Sequence, residues 1–155
     1  MAEKDGQDFL ETKPEIRLAQ HIAKKYGLKP GFNIEQFASE FVNVQKDAIP
    51  YDVDGLFFGF NTEGKKPTIM INSEISPRRQ LFTLAHEIGH FFIPWHIGLI
   101  ICHIDVNDPF LDYIYGETET EANRFAAELL MPSELISERI KDKSVKEVIE
   151  VFLEQ

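Results

Sequence analysis

Cysteine is almost absent from this sequence: Cys102 is the only one among 155 residues. A lone cysteine cannot close an intramolecular disulfide, so disulfide-stapled secreted scaffolds are excluded and a reducing, cytoplasmic setting is expected. Long apolar runs are missing as well. No segment stays apolar for the roughly 20 residues that a membrane span needs, and the polar start Met1–Asp8 has no apolar run behind it to act as a signal peptide. Basic residues are the third shortage. Sixteen Lys and Arg stand against 26 Asp and Glu, a formal net charge of -10. A surface without clustered cations cannot displace counterions from phosphates, which argues against direct nucleic-acid binding.

What remains is the composition of a packed globule. Apolar residues make up 43% of the chain, and Phe alone occurs 13 times. The length fits one domain over 1–155, with residues 1–12 as a flexible N-terminal segment. Thr12-Lys13-Pro14-Glu15 reads as a capping box with proline in the first turn. It opens a helix that turns Ile16, Ala19, Ile22, Ala23 and Tyr26 inward and stops at Gly27. A second helix is predicted from Asn33 to about Val42, with Ile34, Phe37 and Phe41 on one face.

The pattern then changes from helical to extended. The apolar runs Gly55–Asn61 and Pro67–Asn72, separated by Thr62–Lys66, predict a β-hairpin, and Val42–Ile49 is a candidate third strand. Ser76-Pro77 is an N-cap followed by proline at the first helical position, and that helix should run to about Phe92, ahead of Pro94. An irregular stretch from Trp95 to about Tyr115 follows, then a helix from about Thr118 to Met131. Ser133 can cap a short helix, and Ser144–Glu147 forms a capping box for a last one. The order predicts an α+β domain: a small sheet packed with helices.

The chemistry lies in His86-Glu87-Ile88-Gly89-His90. Histidines four apart share one helix face, one turn above the other, and present two nitrogens to a single ion. Glu87 is rotated by about 100° from His86. It is badly placed to be a ligand but within reach of an attacking water, whose proton it would take and later pass to the leaving amine. Gly89 costs about 1 kcal/mol relative to alanine in mid-helix, which predicts close packing at that point.

A catalytic zinc takes three protein ligands and keeps one position open. His96, six residues after His90, has the spacing of the metzincin pattern HExxHxxGxxH, but Ile93 stands where that pattern needs a glycine to turn the chain back to the metal. Glu119, at the start of the later helix, would give a His2Glu set. Asn123 is four residues further on the same face and could accept the outer N–H of one histidine. Glu121 lies about 200° round the helix from Glu119, where a solvated side chain is expected.

Arg79 through His90, preceded by Ile69-Met70-Ile71-Asn72 and followed by Glu119 through Pro132, closely resembles the ImmA/IrrE family of zinc metallopeptidases. The resemblance covers roughly residues 14 to 153. It implies a compact gluzincin-like fold, zinc (Zn2+) held by His86, His90 and Glu119, and Glu87 as catalytic base. It also implies a protein substrate, since relatives cleave helix-turn-helix transcriptional repressors. The expected activity is therefore zinc-dependent endoproteolysis of such a repressor. Two other functions compete: a regulator that binds the repressor without cutting it around a structural zinc, and a general protease of metzincin type. An intact Glu87 argues against the first, and the missing glycine against the second.

Some residues carry less. His103, Tyr113 and Tyr115 are candidates for stabilising an oxyanion, although a surface or packing role is the simpler reading of each. Cys102, among Ile100, Ile101 and Ile104, reads as a small buried hydrophobe, and Trp95 with Phe91-Phe92 as core. The strand Thr68–Asn72 is a candidate edge for pairing with an extended substrate.

Overall fold

The computed structural model describes residues 13–50, 53–59, 63–96, 109–141, 143–144 and 147. Cys102 and His103, and the N-terminal segment 1–12, lie outside the described residues. Helix α1 (Pro14–Lys25) leads to α2 (Ile34–Ser39) and then to strands β1 (Asn43–Asp47), β2 (Gly55–Phe58) and β3 (Thr68–Asn72). Helices α3 (Pro77–Phe92), α4 (Pro109–Leu130) and α5 (Ser133–Ile140) follow. The architecture is the α+β, zincin-like one expected. No helix among the described residues is long and apolar enough to cross a membrane.

Local sequence explains most element boundaries. Pro14 opens α1, whose N-cap is Lys13 without a side-chain cap. The expected capping box is not made through Glu15. That carboxylate is buried and pairs instead with Arg124 of α4, 3.2 Å away. At the other end Gly27, at φ 63°, lets the amides of Gly27 and Leu28 fold back onto the carbonyls of Lys24 and Ala23. Asn33 caps α2 by accepting from the Gln36 amide at 3.0 Å, and Ser76 caps α3 by accepting from Arg79. Ser133 is not the cap of α5. Pro132 holds that position, and Ser133 donates to the Glu128 carboxylate at 3.2 Å. Ser144 and Glu147 do form their reciprocal box, with the Ser144 amide 2.8 Å from Glu147.

The sheet order is β1-β3-β2, with β1 parallel and β2 antiparallel to β3. The predicted hairpin is therefore present, but β3 is central. This corrects the expectation of an edge at Thr68–Asn72: both sides of that strand are taken, and the edges belong to β1 and β2. Ile69 and Ile71 of β3 are fully buried in a core with Ala19, Ile22, Phe37, Leu84, Ile88, Phe125 and Leu129. Asn72 ends the strand and is itself buried. Its amide donates to the Val53 carbonyl at 3.0 Å while its oxygen accepts from the Glu74 amide at 3.0 Å. One side chain thus ties the start of β2 to the turn that leads into α3.

Two close approaches set the position of α3. A Cβ built on Gly89 would come within 3.0 Å of the Phe125 ring and 3.4 Å of the Ala122 carbonyl. The mid-helix glycine thus lets α4 cross α3 at short range, which is the packing its helix-propensity cost implied. On the other side, a Cβ on Gly55 would meet Thr83 at 2.7 Å and Glu87 Oε1 at 3.4 Å. This brings edge strand β2 down onto α3 beside the motif.

Helix α4 begins well before the expected Thr118, so residues 109–115 are helical and not irregular. Within it Tyr113 and Tyr115 are 67% and 49% exposed.

Candidate active site

His86 and His90 project from one face of α3 toward α4, where Glu119 meets both. His86 Nε2 lies 3.0 Å from one Glu119 oxygen and His90 Nε2 lies 3.1 Å from the other. The two Nε2 atoms are themselves 3.1 Å apart. Among the described residues these three form the group that could hold a metal ion. Asn123, one turn beyond Glu119, places its Oδ1 2.9 Å from His86 Nδ1. Its amide oxygen has no proton to give, so His86 carries its N–H there and directs the Nε2 lone pair inward.

The donor chemistry fits a bound cation. Imidazole nitrogens packed 3.1 Å from each other and from a carboxylate repel unless a proton or a metal lies among them. Burial works against the charge of Glu119, but hydrogen bonds and positive charge from His86 and His90 outweigh it and hold its carboxyl far below the usual range. For His86, burial lowers the pKa, while the hydrogen bond it donates to Glu119 and the charges of Glu87 and Glu119 raise it by more, for a net rise. The sign for metal binding follows. A proton held more tightly on His86 competes better with a metal, so affinity is expected to fall with pH through a window that begins above the ordinary imidazole value of 6.5 and to level off above it. Titration with Zn2+ at several pH values between about 5 and 8 measures this. An affinity that stays level to well below 6.5 would remove His86 from the ligand set.

Glu87 points into a cleft of about 590 Å³ bordered by Gly55, Leu56 and Phe57 of β2, Phe82 of α3, and Tyr115 and Glu119 of α4. Burial pushes its carboxyl up, with Glu119 adding to the rise and the two histidines opposing it. A carboxylate made more basic by desolvation suits proton abstraction near neutral pH. Tyr115 also lines the cleft, and burial together with the charges of Glu119 and Glu87 raises its phenol, which stays a hydrogen-bond donor at neutral pH. Tyr113 is not among the lining residues.

His96 does not join the group formed by His86, His90 and Glu119. It is fully buried, and its Nδ1 lies 2.9 Å from the outer nitrogen of His90, Nδ1, on the side away from Glu119. Burial lowers its pKa. Its Nε2 lies 2.7 Å from Glu121 Oε2, and the same oxygen accepts from Trp95 Nε1 at 2.7 Å. Two sequence readings are corrected here. Glu121 is not a solvated residue, because the chain beyond α3 turns back at Pro94 and lays Trp95 and His96 against α4. Trp95 is not core: it is 44% exposed and covers Glu121 from outside.

A short sheet over an HExxH helix, with a carboxylate delivered by the next long helix, is the plan of a gluzincin-like metallopeptidase domain. Comparison with known proteins agrees: residues 47–153 match Peptidase_M78, the IrrE N-terminal-like domain, and the chain belongs to that metallopeptidase family. It is 35% identical over 100 residues to the radiation response metalloprotease IrrE of Deinococcus deserti, covering 59% of this chain and 34% of that protein. The IrrE of Deinococcus radiodurans is 39% identical over 74 residues, 47% of this chain and 22% of its own length. The "uncharacterized immunity region protein 2" of Bacillus phage phi105 is 27% identical over 124 residues, 77% of this chain and 69% of that one. The chain thus spans about a third of the D. deserti IrrE.

Proposed function

We propose that this domain is a zinc-dependent endopeptidase that cuts a regulatory protein, a helix-turn-helix transcriptional repressor, in a reducing, cytoplasmic setting. The observation that carries the enzymatic reading is the convergence of His86, His90 and Glu119 beside a desolvated Glu87 in an open cleft. His86, His90 and Glu119 would hold the zinc ion, which when bound would supply Lewis-acid polarisation of the scissile carbonyl and lower the pKa of water. Glu87 takes a proton from water as its oxygen bonds to the carbonyl carbon. It then delivers that proton to the amide nitrogen as the C–N bond breaks. Tyr115, a donor in the cleft wall, hydrogen-bonds the oxyanion. The edge strand β2 borders the cleft, and its side turned away from β3 suits pairing with an extended peptide backbone. The alternative, a non-cleaving regulator with a structural zinc, has no use for a base in an accessible cleft.

Three observations support a repressor as substrate: the resemblance to repressor-cleaving relatives, the name of the phage relative, which places it in an immunity region, and the net charge of -10. An acidic protein attracts a basic DNA-binding one and is itself repelled by DNA. A backbone-reading cleft leaves specificity to docking of the folded substrate. With zinc present, the chain is therefore expected to cut a repressor encoded beside its gene at one or a few bonds, to leave casein largely intact, and to show no affinity for duplex DNA at physiological salt. Mass spectrometry of the products and a DNA titration check this. Efficient casein digestion with the repressor untouched would sink the regulatory reading and leave the metallopeptidase standing.

A further inference from the structure

We infer that Glu121 and His96 are positioning residues: through two consecutive hydrogen bonds they fix the tautomer of His90 in which Nε2 presents a lone pair to the metal. This rests on the metal-site reading above. With His96 neutral and Glu121 ionised, donor and acceptor identities fix the direction of the chain. The indole N–H of Trp95 can only donate, so Glu121 Oε2, 2.7 Å away, is an acceptor. His96 Nε2 lies 2.7 Å from that same oxygen and must carry its proton there, because a bare nitrogen would face a carboxylate lone pair. A neutral imidazole has one N–H, so His96 Nδ1 is an acceptor. His90 Nδ1, 2.9 Å away, must then donate. His90 is left with an unprotonated Nε2, the atom that meets Glu119 at 3.1 Å.

Both ligand histidines are therefore set from behind by residues of α4, but by different means. Asn123 acts on His86 directly. Glu121 reaches His90 only through His96, which is fully buried. One helix thus supplies Glu119 to the inner face of the two imidazoles, Asn123 behind His86 and, through His96, Glu121 behind His90.

The test uses the full chain with Zn2+ as probe. Long-range 1H–15N spectra of the metal-free protein should show His90 as the Nδ1–H tautomer. In Glu121→Leu this signature should be lost, and zinc affinity, measured by chelator competition, should fall about tenfold or more. Glu121→Gln keeps a carbonyl oxygen that can accept from His96, so it should retain the tautomer and hold affinity within about threefold. Rescue by glutamine rules out a role in charge alone, and loss in the apolar leucine variant rules out one in filling space alone. His96→Phe should behave like Glu121→Leu. Should it fail to fold, the partly exposed Glu121 still decides the matter. Folded Glu121→Leu protein with wild-type zinc affinity and an unchanged His90 tautomer overturns the relay alone. A wild-type chain that binds no zinc overturns the metal site and the relay together.

Discussion

Glu87→Gln is expected to lower peptide hydrolysis by at least about a hundredfold while zinc stays bound. Glutamine matches glutamate in size and still hydrogen-bonds, but it takes no proton at neutral pH. The site around position 87 is tight: a Cβ on Gly55 would already come within 3.4 Å of Glu87 Oε1. An isosteric change is therefore the clean one, since a larger residue would displace β2 and confuse loss of the base with loss of the cleft. Because Glu87 is one residue from His86 yet makes none of the contacts that join His86, His90 and Glu119, metal content should be unaffected. Turnover of the cognate substrate and zinc content of the same preparation are the two measurements. Undiminished cleavage would remove Glu87 as the base. Loss of zinc instead of turnover per bound zinc would make it a ligand.

Glu119→Gln is expected to weaken zinc binding by more than about a hundredfold, beyond the usual cost of losing an outer hydrogen-bond partner of a ligand. The substitution removes the one negative charge in the ligand set and leaves two imidazole nitrogens 3.1 Å apart with no carboxylate facing them. The depressed pKa of Glu119 expresses the same fact: the pocket stabilises its charge, and in return that charge draws a cation between the histidines. Chelator competition measures the loss, and unfolding with and without zinc shows whether the apo domain stands alone. Near-normal affinity in Glu119→Gln, accompanied by complete loss in His96→Asn, would move the site to the metzincin arrangement against the placement of His96 behind His90.

Much of this site was legible in the residues themselves. The histidine pair is dictated by helical periodicity, and the helix by Ser76-Pro77 at one end and Pro94 at the other. The spacing of Asn123 from Glu119 is likewise a fact of one helix, which is why its bond to His86 could be anticipated once the two helices were set face to face. The hairpin of β2 and β3 followed from two apolar runs around a turn.

What sequence could not decide depended on how separate segments meet. Whether His96 or Glu119 faces the inner nitrogens turns on the path of the chain after Pro94 and on the crossing of α3 by α4, which a contact at Gly89 sets. Helical angle put Glu121 on the side away from Glu119 and hence toward water. The side was right and the solvent wrong, because Trp95 and His96 occupy it. The edge strand shows the same limit. The parallel pairing of β1 with β3 leaves no local mark, so only the assembled sheet revealed that β2, not β3, borders the cleft. Periodicity and caps act over a few residues and are written in the chain. Contacts between distant elements are selected by the packing of the whole core, and those contacts decide which polar side chain stands behind a ligand and which one stands in water.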